Sequence, residues 1–189
     1  MSENIFTDLT KLKHRGSNVI IGKTVRIRYP HLVEIGDNVI IDDFSYISTS
    51  LRIEGNVHIA SGCKLIGGQA ATISFGEYST LAPNVVLAAG SDDYLAGLAT
   101  PLVPARFKGN FEVGTIRIGR HSIIGAGSVV MPHVQFGDGA ALGALSLARE
   151  DLEAWTLYAG VPARRLRPRD EAEIRRLESE LKESLTHGE

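Results

Sequence analysis

Every sixth residue of this chain is apolar over long stretches, and few folds admit that period. Counting in sixes gives Ile21 and Ile27, then Ile35, Ile41, Ile47, Ile53, Ile59 and Leu65. The series resumes at Phe75, Leu81 and Leu87, and again at Ile118, Ile124, Val130, Phe136 and Leu142. Four positions after most of these stands a small or β-branched residue, as at Val39, Ser45, Cys63, Ser79, Val85, Ser122, Ser128 and Ser146; Leu51 and Gln69 break the rule. Glycine follows the apolar residue at Gly22, Gly36, Gly76, Gly119, Gly125, Gly137 and Gly143, as suits a backbone that turns once per repeat.

One large and one small inward residue in every six describe a short strand and a corner. Three such units close a triangular coil, and stacked coils make an all-β, single-stranded parallel β-helix with a column of like side chains inside. Each coil pairs with the next, so unpaired strand edges are confined to the two ends. A sandwich of short strands is the alternative, but it gives period-two alternation and irregular turn spacing.

The register breaks three times, and breaks in a solenoid mark insertions that project from it. Two are small, between Ile27 and Ile35 and between Leu65 and Phe75, the second containing Gly67, Gly68 and Gln69. The third, a loop over 92–115, is long enough to be functional and is the first candidate for an active-site wall. Beyond Ser146 the period dissolves. Residues 170–185 then mix both charges with Ile174, Leu177, Leu181 and Leu185, a spacing that predicts a surface helix closing the prism. Residues 2–14 are expected to form a short helix at the other end. The organisation read from this is a cap segment over 1–16, the β-helix over 17–168 with its loop, and a C-terminal helix over 169–189.

Composition narrows the setting. A length of 189 residues fits one domain, and a formal net charge of −2 gives no field for nucleic acid or anionic membrane. The one cysteine, Cys63, cannot form an internal disulfide and occupies a small inward slot, which reads as core. No apolar run is long enough to span a bilayer, and the first residues lack a signal-peptide stretch, so a cytoplasmic location is expected. The scattered histidines, His14, His31, His58, His121, His133 and His187, offer no metal-ligand spacing, so no metal site is expected.

Several segments carry a resemblance: Leu81-Ala82-Pro83-Asn84-Val85, Ile118-Gly119-Arg120-His121, Ile124-Gly125-Ala126-Gly127-Ser128 and Ala159-Gly160-Val161-Pro162-Ala163-Arg164. Over 17–168 the chain resembles the left-handed β-helix, hexapeptide-repeat acyltransferases, in the branch that acetylates sugars and galactosides and serves O-antigen biosynthesis. Within that branch, Ser91-Asp92-Asp93-Tyr94 and 152–162 are similar to enzymes that acylate dTDP-4-amino-4,6-dideoxyglucose. The resemblance alone implies the left hand, since general crossover rules favour the right. It also implies a homotrimer with active sites between prisms, and acetyl-CoA as co-substrate. The coenzyme's arm would run beside Gly125, Ala126, Gly143 and Ala144, with its phosphates near Arg164 and Arg167.

The same resemblance bears on the chemistry. Galactoside-type relatives carry a histidine base in the loop after the Asn-containing coil; this chain has Asp92 there. A sugar hydroxyl needs a strong general base, whereas a sugar amine, once neutral, already carries its attacking lone pair. Asp92 and Asp93 are therefore candidates to bind an amine acceptor and take its proton, with Asn84 and Tyr94 as substrate contacts. His58, read as sitting at a coil corner, and His121, directly after the loop, are the rival bases. Trp155 and Tyr158 either stack on adenine or pack the last coil. The expected function is acetylation of a nucleotide-linked amino sugar; the alternatives are O-acetylation of a sugar hydroxyl and a non-catalytic β-helix assembly protein.

Overall fold

In the computed structural model, which describes residues 3–187, the chain winds into a parallel β-helix of about seven turns with one C-terminal helix. Its hand is left. Face I of the prism stacks Ile20–Ile21, Val39–Ile41, Val57–Ile59, Thr80–Leu81, Ile123–Ile124, Ala141–Leu142 and Thr156–Ala159, all parallel. Face II stacks Arg26–Ile27, the starts of the long strands Tyr46–Ile53 and Lys64–Phe75, Val86–Ala88, Val129–Val130 and Leu147–Ala148. Face III stacks His14–Arg15, Val33–Ile35, the ends of those same two long strands, Thr115–Ile118 and Gln135–Phe136.

The hexad residues fill the interior: Ile35, Ile41, Ile47, Ile59, Leu65, Leu81, Leu87 and Ile124 have no exposed surface. Small polar side chains in the second inward slot satisfy themselves on the nearby backbone, Ser79 Oγ donating to Gly76 O at 2.7 Å and Ser128 Oγ to Gly143 O at 2.8 Å. Cys63 is wholly buried, and burial pushes its thiol up. Leu51 breaks the small-residue rule because face III carries a second aliphatic column, in which Leu51 pairs with Val33 and Ile73, and Ile73 with Ile116.

Corners are made by single residues in the left-handed region. At the corner from face III to face I these are Asn18, Asn38, Asn56, Tyr78, His121, Gly139 and Trp155. Asparagine tolerates this conformation because its short amide bonds locally, and the first three form a ladder, Asn18 Nδ2 donating to Asn38 Oδ1 at 2.9 Å.

All three register breaks fall at one corner, from face II to face III. The largest is an arm that leaves after Ala89 and returns at Gly114 as a hairpin, Gly90–Ser91 pairing antiparallel with Glu112–Val113. At its root the coil closes on itself, Gly114 N donating to Ala89 O at 2.7 Å. Gly67 and Gly90 face each other there, and a Cβ on Gly90 would lie 3.1 Å from Gly67 O. Two glycines thus let the arm emerge flush with the coil before it.

Both ends differ from expectation. No helix forms over 3–14 beyond a single turn at Leu9–Lys11; residue 2 lies outside the described residues. Instead Asn4 pins an extended segment across the first coil, Nδ2 donating to Gly22 O at 2.7 Å and Oδ1 accepting from Thr7 N at 2.7 Å. The C-terminal helix, α1, spans Glu171–His187, but it does not close the prism through its apolar stripe. Leu177, Leu181 and Leu185 stay exposed, and α1 lies along the III-to-I edge through Glu178. No helix among the described residues is long and apolar enough to cross a membrane.

Candidate active site

Two edges border face II, and between them they carry most of the residues singled out from the sequence. On the edge from face I to face II, Asn84 holds a corner at φ 62°, exposed, its side chain over Gly62. The next two coils place Gly125-Ala126 and Gly143-Ala144 beneath it, with Gly127 N donating to Pro83 O at 3.0 Å and Leu145 N to Ala126 O at 2.9 Å. Ala126 and Ala144 are exposed, so this edge offers a shallow track of backbone and methyl groups. Gly125 and Gly143 also have a structural reason. A Cβ on Gly143 would sit 2.9 Å from Ala159 Cβ, and one on Gly125 would overlap the Ala144 backbone.

The arm borders the other side of face II. Its two aspartates are neighbours in sequence with different surroundings. Asp93 is a clasp: Oδ1 accepts from Leu95 N at 2.8 Å and Ala96 N at 3.1 Å, and Oδ2 from Asn110 N at 2.9 Å. These amides, that of Asn110 foremost, hold its carboxyl below the usual range. Asp92 meets a side chain instead, with Lys108 Nζ 3.3 Å from Oδ1. Its Oδ2 has no partner among the described residues. Tyr94 stands beyond them, almost fully exposed.

Neither histidine candidate joins this pair within one chain. His58 sits mid-strand in Val57–Ile59 on face I, not at a corner, because Asn56 takes the left-handed position. Its Nε2 lies 2.9 Å from Asp42 Oδ2 in a half-exposed dyad. His121 occupies the III-to-I edge and is engaged in docking α1. Its ring stacks on Tyr78 at 5.2 Å and 3°, lies 5.9 Å from Trp155, and its Nε2 is 2.8 Å from Glu178 Oε2. Trp155 is thereby used in packing, with Arg175 over its ring at 5.2 Å.

The two arginine candidates part company. Arg164 lines a hollow of about 240 Å³ at the last coil with Arg149, Tyr158, Pro162 and Ala163. Arg167 faces a separate depression beside Ala141 and Leu157. Arg149 and Lys108 are the residues that sequence reasoning left without a role. Neither sits in a repeat register, and nothing in the order of residues signals what it would face.

No family model matches the chain. It is 37% identical over 177 residues to a dTDP-4-amino-4,6-dideoxy-D-glucose acyltransferase of Escherichia coli, covering 91% of this chain and 90% of the relative. The chain belongs to the family of dTDP-4-amino-4,6-dideoxyglucose acyltransferases. Among solved structures, an N-acyltransferase from Bacillus cereus, crystallised as a serine-to-cysteine variant with dTDP-4-amino-4,6-dideoxyglucose and coenzyme A, superposes with a TM-score of 0.89 at 33% identity. The match covers 97% of this chain and all of that one. A maltose O-acetyltransferase from Clostridium difficile 630 shares the fold at 20% identity and a TM-score of 0.58, over 86% of this chain and 73% of its own.

Proposed function

We propose that this acyltransferase moves an acyl group from an acyl-CoA, acetyl-CoA in the simplest case, onto the 4-amino group of dTDP-4-amino-4,6-dideoxyglucose. Near-full-length similarity to the Escherichia coli relative and to the N-acyltransferase that binds this sugar nucleotide supports the substrate pair. O-acetylation has less support, because the sugar O-acetyltransferase is far more distant. The observation that carries the reading is Asp92, a carboxylate at the root of the arm with one oxygen held and the other free.

In the reaction the neutral amine attacks the thioester carbonyl. The N–C bond forms, the C–S bond breaks, and the coenzyme leaves as its thiolate. Asp92 Oδ2 takes a proton from the attacking nitrogen and passes it through water to the sulfur. Asn84 and Tyr94 border the acceptor, and the track at Gly125, Ala126, Gly143 and Ala144 holds the pantetheine arm. Arg164 sits toward the phosphates. Asp93 shapes the arm and is not the base, since three amides already engage both of its oxygens.

The working enzyme is a homotrimer in the cytoplasm, making a sugar for a surface polysaccharide such as O-antigen. Apolar surface supports the assembly: Tyr94, Leu95 and Leu102 on the arm, and Ile20, Ile40 and Ile123 along the outer row of face I, all lie exposed. The deciding assay offers acetyl-CoA with the amino sugar nucleotide or with its 4-hydroxy analogue and follows thiol release. Turnover of the amine alone is expected; turnover of the hydroxyl analogue alone would overturn the proposal. Light scattering tests the trimer, which a monomeric mass would refute.

A further inference from the structure

We propose that Lys108 is the positioning residue of the acceptor site: its ammonium fixes Oδ1 of Asp92, leaves Oδ2 for the acceptor amine, and disfavours the charged form of that amine. This rests on the reading of Asp92 as the acceptor's base.

The geometry is that of a built contact. Lys108 Nζ lies 3.3 Å from Asp92 Oδ1, yet the lysine side chain is only 18% exposed, unlike a free surface lysine. Its ammonium sits 4.8 Å from the centre of the Phe111 ring, whose face favours a cation. Its backbone is fixed as well. Lys108 N donates to Ala105 O at 3.0 Å, and its carbonyl presses on Gly97, where a Cβ would overlap it. The stem is therefore ordered before substrate arrives, so little side-chain entropy is lost in holding the carboxylate.

The arm's other charges do not compete. Asp93 is held through both oxygens by the amides of Leu95, Ala96 and Asn110. Arg106 lies over Phe107, and Tyr94 and Glu112 form no ion pair among the described residues. Beneath the root of the arm, the strand Lys64–Phe75 presents Gly67 and Gly68. Its Lys64 Nζ donates to Gly62 O at 3.0 Å.

One consequence follows. The Lys108 cation, roughly 4–6 Å from an amine bonded to Oδ2, disfavours the ammonium form of the acceptor. An ammonium has no lone pair with which to attack the thioester, so this effect extends activity toward acid. The proton released by the nitrogen goes to Oδ2.

The test is the pH profile of kcat, which reports the bound acceptor, measured with acetyl-CoA and dTDP-4-amino-4,6-dideoxyglucose on the full chain and on Lys108→Met, Lys108→Arg and Asp92→Asn. Lys108→Met is expected to lose about tenfold in kcat through a misplaced carboxylate. Its acidic limb is expected to move up by about one pH unit. Lys108→Arg, which keeps the charge, should keep the limb where it was. A wild-type limb in Lys108→Met, or an equal shift in both variants, overturns the proposal. Loss of turnover in Asp92→Asn with an unaltered Lys108→Met removes Lys108 and spares the base. Wild-type turnover in Asp92→Asn removes both. Circular dichroism checks the fold, and Lys108→Gln replaces Lys108→Met should the latter not fold.

Discussion

Trp155 lays its indole across Gly139, and a Cβ on that glycine would overlap the ring. The bare Cα lets a side chain from the last coil skip one layer and reach His121, which itself stacks on Tyr78. Gly139 also holds a φ of 69°, a region that is costly for other residues. Gly139→Ala therefore strains the corner and expels the indole together. Thermal melting should report a loss of about 2–3 kcal/mol, from the left-handed penalty and the forfeited ring contacts. The fluorescence of this single tryptophan should shift toward the exposed value. An unshifted spectrum would mean that the ring does not bear on the docking of α1.

Charge completes that docking, and it titrates. Glu178 Oε1 accepts from Arg120 Nη2 at 2.6 Å and lies 2.6 Å from Lys182 Nζ, while Oε2 meets His121. Lys182 foremost, against the opposing effect of burial, and then His121 and Arg120, pull its carboxyl down to about 2. A carboxyl depressed in the folded state stabilises it above the unfolded pKa and ceases to do so as pH falls through the folded one. Docking of α1 should thus weaken between about pH 4.5 and 2. Tryptophan emission and amide exchange in α1 should both follow that transition, and Glu178→Gln should remove it. A transition that survives in Glu178→Gln belongs to another group.

How far these features were legible depends on their range in sequence. The core column and the arm were plain, because a six-residue period is local and any insertion interrupts it. The docking of α1 was not. Ile174, Leu177, Leu181 and Leu185 announce an apolar stripe, but the helix is held by Glu178 on a ladder built from Tyr78, His121 and Trp155, three residues from separate coils. His58 lies two residues past the corner, because Asn56 takes the left-handed position there. The two adjacent aspartates were equal as letters. Which one is sealed depends on the turn that brings the Leu95, Ala96 and Asn110 amides onto Asp93.

That difference makes the pair separable by experiment. Under the proposed reaction, Asp92→Asn should reduce kcat by about a hundredfold or more, the usual range for a lost general base. Its melting temperature should hardly move, because Asp92 makes one ion pair on a surface arm. Asp93→Ala should do the reverse in kind. It frees three amides, loosens the arm, raises KM for the acceptor and speeds proteolytic cleavage within 92–113, while kcat at saturation falls less. Equal kcat losses without any change in proteolysis would make both carboxylates chemical participants.

The arginines offer a comparison of the same kind at the other end of the site. Arg164 shares its hollow with Arg149 and Tyr158, and neither arginine forms an ion pair among the described residues. Arg167 points to a different depression, next to Leu157 on the flank of face I. A charge-assisted hydrogen bond to a phosphate contributes about 1.5–3 kcal/mol, or roughly ten- to a hundredfold in affinity. Calorimetry with coenzyme A should therefore show about a tenfold loss or more for Arg164→Ala and for Arg149→Ala, and less than about twofold for Arg167→Ala. Arg164 and Arg167 lie on an exposed strand outside the repeats and Arg149 is exposed just after one, so the fold should survive each change. A large loss at Arg167 with none at Arg164 would move the phosphates to the flank of face I, on the side of the apolar row of Ile20, Ile40 and Ile123 to which the proposed trimer assigns a second subunit.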